Sequence, residues 1–343
     1  MPFYANDSGT WKEVTSGNYY VKHGGAWTVV QEAYVKDAGS WKQYYQNEVG
    51  ATLSNSTNVA VSSLFTSSVW TGTTPKIITI PSGVTIGGTG GTAAITIASN
   101  MGGTLVINNA GSILGTGGAS NGGAGGNAIT NAASNVTINN TNLLAGGGGG
   151  GGQGGAGGAG EVNNTAAWSG REPAANWTNG SASLGYYYNS SSYHFFYNGS
   201  TSYIYWASNI GNASGFPAFI RIGNNEYHRG PHRGSGKYEI YRQAKTATSA
   251  GTGGNGGLGQ GYNQTNSAGS NGSAGGTGAG TGGAGADGAT YGQAAGSGST
   301  GANGNSYSNG TGAAGAAGGA AGAAVSGTSV TMNNSGTVHG AVA

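Results

Sequence analysis

No cysteine occurs in the 343 residues, and only 6% of them are charged. The first absence excludes disulfides, thiolate chemistry and cysteine-based metal sites, while leaving the redox compartment open. The second, with a formal net charge of +2, excludes a surface built to neutralise nucleic-acid phosphates. Apolar runs fall far short of the roughly 20 residues that a membrane-spanning helix needs, so neither nucleic acid nor membrane insertion is expected. The opening Met1-Pro2-Phe3-Tyr4 lacks a basic and apolar leader, which points to synthesis in a cytoplasm. There are six prolines, none of them after His232.

Glycine fills much of the remaining composition, at 75 positions. Between Gly251 and Ala324 the only large apolar side chains are Leu258, Tyr262, Tyr291 and Tyr307, so this segment cannot bury an ordinary hydrophobic core. Two states stay open to it: a silk-like or linker-like low-complexity chain, or a fold held by backbone hydrogen bonds across closely approaching glycines. Gly recurs at every third position in several runs, including Gly154, Gly157, Gly160; Gly253, Gly256, Gly259; Gly269, Gly272, Gly275, Gly278; and Gly312, Gly315, Gly318. Period three is the repeat of the polyproline II backbone, whose N–H and C=O groups must find partners outside their own helix. Collagen would need one unbroken register and abundant proline. These tracts are short, shift register and lack proline, so bundled polyglycine II is the expectation.

The first 48 residues repeat one pattern three times. Tyr4 to Trp11, Tyr20 to Trp27 and Tyr34 to Trp41 each span seven positions, with Gly before the Trp, which writes three tight β-hairpins. Their tryptophans are expected to pack with the other aromatics, and Lys12, Lys22, Lys36 and Lys42 to form a solvated face. From 52 to 114, Ile77-Ile-Thr-Ile80, Val84-Thr-Ile86, Ala94-Ile-Thr-Ile97 and Leu105-Val-Ile107 read as strands separated by turn residues. A second repeat, Leu105-Val-Ile-Asn108-Asn109, Val136-Thr-Ile-Asn139-Asn140 and Val330-Thr-Met-Asn333-Asn334, suggests neighbouring rungs of one stack. The chain between 146 and 325 would then be one excursion that returns.

Between Glu161 and Thr248 the composition turns aromatic. Tyr193–Tyr197 and Ser202–Trp206 read as a hairpin across Asn198-Gly199-Ser200-Thr201, with further strands at Ala218–Ile222 and Lys237–Arg242. A small β domain lying between rod-like tracts should sit at their far end. Tyr and Trp offer rigid faces for sugars or proteins, and Glu226 to Lys237, carrying Arg229, Arg233, His228 and His232, reads as an exposed basic loop whose Arg forks suit carboxylates or phosphates. The candidate binding residues are therefore Tyr187, Tyr197, Tyr205, Trp206, Tyr227, His228, Arg229, His232 and Arg233. Arg229-Gly230-Pro231 between the two histidines forbids the helix that would align them on a metal, so no metal and no cofactor is expected. A glycan-cleaving site needs two carboxylates across one bond. Glu161, Glu172, Glu226 and Glu239 occur in unrelated contexts, and after Lys245 the only acid is Asp287 and the only histidine His339, so no enzyme is expected.

Glycine tracts interrupted by an aromatic segment, over about 115 to 325, resemble the tip adhesins of T-even-type phage long tail fibres. That resemblance implies a polyglycine II sandwich and a host-binding role on the virion. The Tyr-Val-Lys-Asp-x-Gly-x-Trp-Lys hairpins resemble short repeats of tailed-phage structural proteins, which implies that Trp11, Trp27 and Trp41 pack at a junction with the tail. The expected fold is all-β: attachment hairpins over 1–50, a β-rich shaft over 51–114, a glycine-rich bundle with the Asn-Asn rungs over 115–160 and 249–343, and an inserted tip over 161–248. Expected partners are a host glycan or outer-membrane protein and other phage tail or fibre proteins. A monomeric cap and a homotrimeric fibre both stay open, as do a purely structural fibre or virion decoration and a glycan depolymerase tailspike.

Overall fold

The computed structural model describes residues 3–7, 10–14, 20–23, 25–29, 32–37, 39–46, 48–163, 172–175, 184–189, 192–197, 219–222, 224–232 and 238–343. The fold is nearly all β, as expected.

The hydrophobic part is a coil of parallel strands. Lys76–Ile80, Leu105–Asn109 and Val136–Asn140 pair in register, flanked by Val49–Thr52 at one end and Thr331–Asn334 at the other. A second sheet stacks Ser56–Thr57, Thr85–Gly87, Ser112–Leu114, Leu143–Ala145 and Thr337–His339, and a third stacks Val59–Ala60, Ile95–Ile97, Ile129–Asn131 and Val325–Gly327. Every second residue points inward, the period-two consequence of a pleated strand, and the inward set is almost wholly Ile, Leu and Val. Ile78, Ile80, Ile86, Ile95, Ile97, Leu105, Ile107, Ile113 and Ile129 are all fully buried, each contributing about 1.5–3 kcal/mol relative to exposure.

The three Asn-Asn repeats do stack as neighbouring rungs, and the chain from 146 does return at Val325. Their side chains form two ladders. Asn109 Nδ2 donates to Asn140 Oδ1 and Asn140 Nδ2 to Asn334 Oδ1, both at 2.7 Å. In the more exposed ladder Asn139 donates to Asn108 at 2.7 Å and Asn333 to Asn139 at 2.8 Å. The stack is longer than the shaft anticipated over 51–114. It begins at Val49, takes in the Asn-Asn rungs and ends at His339. Its first coils carry no Asn pair, and where the ladder would continue beyond Asn109 the register position is Ile80, leaving Asn109 Oδ1 buried without a donor.

Buried Lys76 holds the loop beside this stack. Its Nζ donates to the carbonyls of Gly102 at 2.7 Å, Thr74 at 2.9 Å and Gly72 at 3.3 Å, and burial lowers its pKa from the usual lysine value. Gly72 closes the short helix Ser67–Thr71, whose C-terminal end favours a cation.

The glycine excursion leaves the coil at the corner after Leu143–Ala145. Along 147–158 each three successive N–H groups reach three different neighbours. Gly147 and Gly150 donate to Gly126 and Gly123; Gly148, Gly151, Gly154 and Gly157 donate to Gln260, Gly257, Gly254 and Gly251; Gly149, Gly152, Gly155 and Gly158 donate to Gln293, Gly296, Ser299 and Ala302. Steps of three in every direction are what helices of three residues per turn require. The carbonyls of the same tract accept from Gly280, Gly283, Ala286 and Ala289, and from Ala313, Ala316, Gly319 and Gly322.

Glycine content follows the number of faces covered. Gly146 to Gly152 are seven consecutive glycines, all buried. Beyond the segment containing Gly123 and Gly126 that covers one side, Gln153 and Ala156 take the uncovered phase and are exposed. In 251–259 the exposed phase is Thr252, Asn255 and Leu258, with glycine on the other two. The outermost tracts keep one glycine in three: Gly269, Gly272 and Gly275 are the half-buried members of 267–275, and both intervening phases are exposed.

Each of the three N-terminal repeats forms a two-stranded antiparallel pair, Phe3–Asp7 with Thr10–Val14, Tyr20–His23 with Ala26–Val29, and Glu32–Asp37 with Ser40–Gln46.

Candidate host-contact end

The hydrogen-bond register fixes which turns share an end of the bundle. Gly157 pairs with Gly251, Gly158 with Ala302 and Gly280, and Ala159 with Asn309. The turns at 276–279 and 305–309 therefore lie with Gly160–Asn163 and Thr248, away from the turns at 261–266 and 290–293, which adjoin Gly148 and Gly149. At this far end the chain enters and leaves the aromatic segment as an antiparallel pair, Gly160↔Thr248 to Asn163↔Lys245. Tyr238–Thr248 continues from that neck as the long strand of a sheet, with Asn225–His232 and then Phe219–Ile222 on one side and Glu172–Ala175 on the other.

Arg221 ties the sheet to the bundle. Its guanidinium makes a two-pronged ion pair with Glu161, the second prong 2.6 Å long, and lies 3.8 Å from Glu226, which in turn takes Lys245 at 3.0 Å. Glu161 also accepts from Ser306 Oγ at 2.9 Å, and its backbone exchanges hydrogen bonds with the Asn305 side chain. The guanidinium sits 5.8 Å from the centre of the Tyr307 ring, within cation–π range. Four segments distant in sequence thus meet at one carboxylate.

The Arg221 hydrogen bonds hold the Glu161 carboxyl below its ordinary value of 4.5, against desolvation that would raise it. A folded pKa that is depressed contributes stability that is present above the unfolded value and lost as pH falls through the folded one. Limited proteolysis across a pH series should therefore find the 161–248 segment protected above about pH 4.5 and progressively cleaved below it. Glu161→Gln should be cleaved at all pH values with little pH response, and a wild-type profile in that variant would contradict the assignment.

Residues 48–237, more than half of the chain, match the family described as phage tail fibre adhesin Gp38. The chain belongs to the phage tail fibre adhesin Gp38 family. This places it in the viral tail fibre. No curated protein matches it. Among solved structures it is similar to the gp37-gp38 adhesin tip complex of the long tail fibre of bacteriophage S16, at 18% identity and a TM-score of 0.37, over 87% of this chain and 83% of that one. The family match starts where the coil starts, so the three hairpins of the adhesin lie outside it.

The adhesin's candidate binding residues fall in two places. Tyr227, His228, Arg229 and His232 lie on the single strand Asn225–His232, so the basic run to His232 is paired chain and not the open loop expected from its charges. Tyr227 pairs with Arg242, His228 with Tyr241 and Arg229 with Ile240, and the register shifts before His232, as the Gly230-Pro231 step demands, because proline cannot donate to a ladder. Tyr187 and Tyr197 lie on a separate hairpin, Leu184–Asn189 with Ser192–Tyr197. The strand expected at Tyr193–Tyr197 is present, but its described partner precedes it in sequence. Tyr205, Trp206 and Arg233 lie outside the described residues, as does the expected partner strand 202–206. Trp11, Trp27 and Trp41 occupy equivalent positions, opposite Asn6, Lys22 and Lys36, and Trp41 is 69% exposed.

Two features were missed by sequence reasoning. Arg221 and Tyr307 lie 60 and 146 residues from Glu161, and the only hint of them was Tyr307 standing alone in a glycine-rich stretch. Among the described residues no group of three or more side chains could hold a metal ion.

Proposed function

We propose that the chain attaches the virion to the host cell surface, binding a surface glycan or outer-membrane protein with the far end of its glycine bundle, without catalysis. The observation that carries this reading is the shared end: the neck of the aromatic segment and the turns 276–279 and 305–309 lie together, while the bundle behind them spans about 35 Å over 147–158 at roughly 3.1 Å per residue. The N-terminal hairpins are read as the docking module for another tail or fibre protein. Among the described residues each is a sheet of two strands only, an arrangement of marginal stability alone, and Trp41 presents a large apolar face.

A depolymerase reading is disfavoured by the one close carboxylate pair at this end. Glu161 and Glu226 share Arg221 and are neutralised by it and Lys245. A general acid of a glycosidase needs a raised pKa, and that of Glu161 is lowered.

Adsorption competition tests the proposal. Host cells are preincubated with the purified chain or with a version in which 164–243 is replaced by a short Gly-Ser bridge, before phage is added. The intact chain should block adsorption and the bridged chain, shown to be folded by its melting transition, should not. Blocking by neither would favour a purely structural fibre component.

A further inference from the structure

Tyr307 is the one large apolar side chain exposed at the far end among the described residues, at 70%. The other exposed ones, Trp41, Leu258 and Val342, lie in a hairpin, on an outer tract and at the C-terminus. A tyrosine on a five-residue turn of Asn305-Ser-Tyr-Ser-Asn309 would ordinarily sweep through several rotamers, but this turn is pinned. Asn305 bonds both backbone groups of Glu161, Ser306 Oγ donates to the Glu161 carboxylate and accepts from Asn309 N, and Arg221, itself forked onto Glu161, is set against the ring. Such an arrangement reduces the entropy lost when the ring meets a ligand.

We propose that Tyr307 is a carbohydrate-stacking residue, and that the ligand of this turn is a pyranose of the host's surface polysaccharide. The inference rests on the host-attachment reading above and names its partner class. A protein hot spot needs an apolar cluster ringed by contacts that exclude water, and Tyr307 has none: its turn neighbours Ser306, Ser308 and Asn309 are small and polar, and the glycine and threonine of 276–278 lie at the same end. An isolated aromatic face among hydroxyls and amides suits a sugar, whose axial C–H groups lie on the ring while its hydroxyls take hydrogen bonds from the rim. The charges of the described residues at this end, Glu161, Arg221, Glu226 and Lys245, are engaged with one another, so the ligand surface at this point is uncharged.

The test measures binding of the full-length chain to two probes: lipopolysaccharide micelles from the adsorbing host, and proteoliposomes carrying its outer-membrane proteins without lipopolysaccharide. Tyr307→Ala should weaken binding to the micelles by about tenfold or more, and Tyr307→Phe, which keeps the ring, by no more than about threefold. Both variants should melt as the wild type does, because the side chain is exposed. Micelle binding unchanged in Tyr307→Ala, a loss confined to proteoliposomes, or an equal loss in Tyr307→Phe would overturn the stacking role. A wild-type chain that binds neither probe would instead remove the host-attachment reading beneath it.

Discussion

One methyl group at Gly151 should destabilise the whole bundle, whereas the same methyl at Gly296 should not. A Cβ on Gly151 would lie 1.9 Å from the carbonyl oxygen of Ala286 and 2.8 Å from that of Asp287. Those oxygens belong to backbone that is itself fixed, since Ala286 N donates to Gly152 O and Gly257 N to Ala286 O. Nothing flexible can yield, so the cost lies at the top of the overpacking range, about 3 kcal/mol or more, or a fall in Tm of roughly 6–12 °C. At Gly296 the nearest contact of an added Cβ is the Ala286 methyl at an ordinary 3.8 Å, and the residue is exposed. There alanine removes freedom from the unfolded chain and should be neutral or stabilising by about 0.4–1 kcal/mol. Calorimetry of the two variants checks this, and similar melting of both would contradict the close-packed account.

The second large effect is expected at Asn140, the middle of the buried ladder. Its amide donates to Asn334 and accepts from Asn109, with longer contacts to the carbonyls of Asn142 and Thr337, and it is fully buried. Asn140→Leu keeps much of the volume but removes the hydrogen-bonding group that joins three coils, at a cost of about 2–3 kcal/mol. Asn139→Ala breaks the outer ladder, where water can replace the lost partners, and should cost less than about 1 kcal/mol. Equal losses in the two variants, measured by urea unfolding, would show that burial of the ladder is not what matters.

The sequence made these two features legible because each is written in a local period. Glycine every third residue announces its helix type, and the number of glycines per triplet, three in 146–152, two in 251–259 and one in 267–275, states how many sides each tract has covered. The Asn-Asn pairs likewise marked three of the five coils. The other two were harder to see: Val49–Thr52 and Lys76–Ile80 carry the strand pattern without the corner pair, and a lysine stands at a position where the neighbouring coil has Leu105. Its burial depends on three carbonyls brought in by the 72–74 and 102 turns, which no local pattern reveals.

The candidate site was legible only in composition. Aromatic excess located the segment, but alternation alone could not say which strand Tyr193–Tyr197 would pair with, and the tyrosine run at Tyr186–Tyr188 supplied the observed partner. The basic run Glu226 to His232 looked like a loop because glycine, proline and charge dominate it. Its place in a sheet is set by Phe219–Ile222 and Tyr238–Thr248 on either side. The Glu161 junction joins residues separated by up to 146 positions, a relation created entirely by the return of the glycine tracts.

Amide hydrogen exchange of the full-length chain, with and without outer-membrane vesicles of the adsorbing host, tests most directly where the host is met. The account predicts slowed exchange on binding at 184–197, 219–232 and 305–309, with the hairpins of 3–46 and the turns 261–266 and 290–293 unchanged. Slowing confined to those hairpins or those turns, with the far end unaltered, would contradict it.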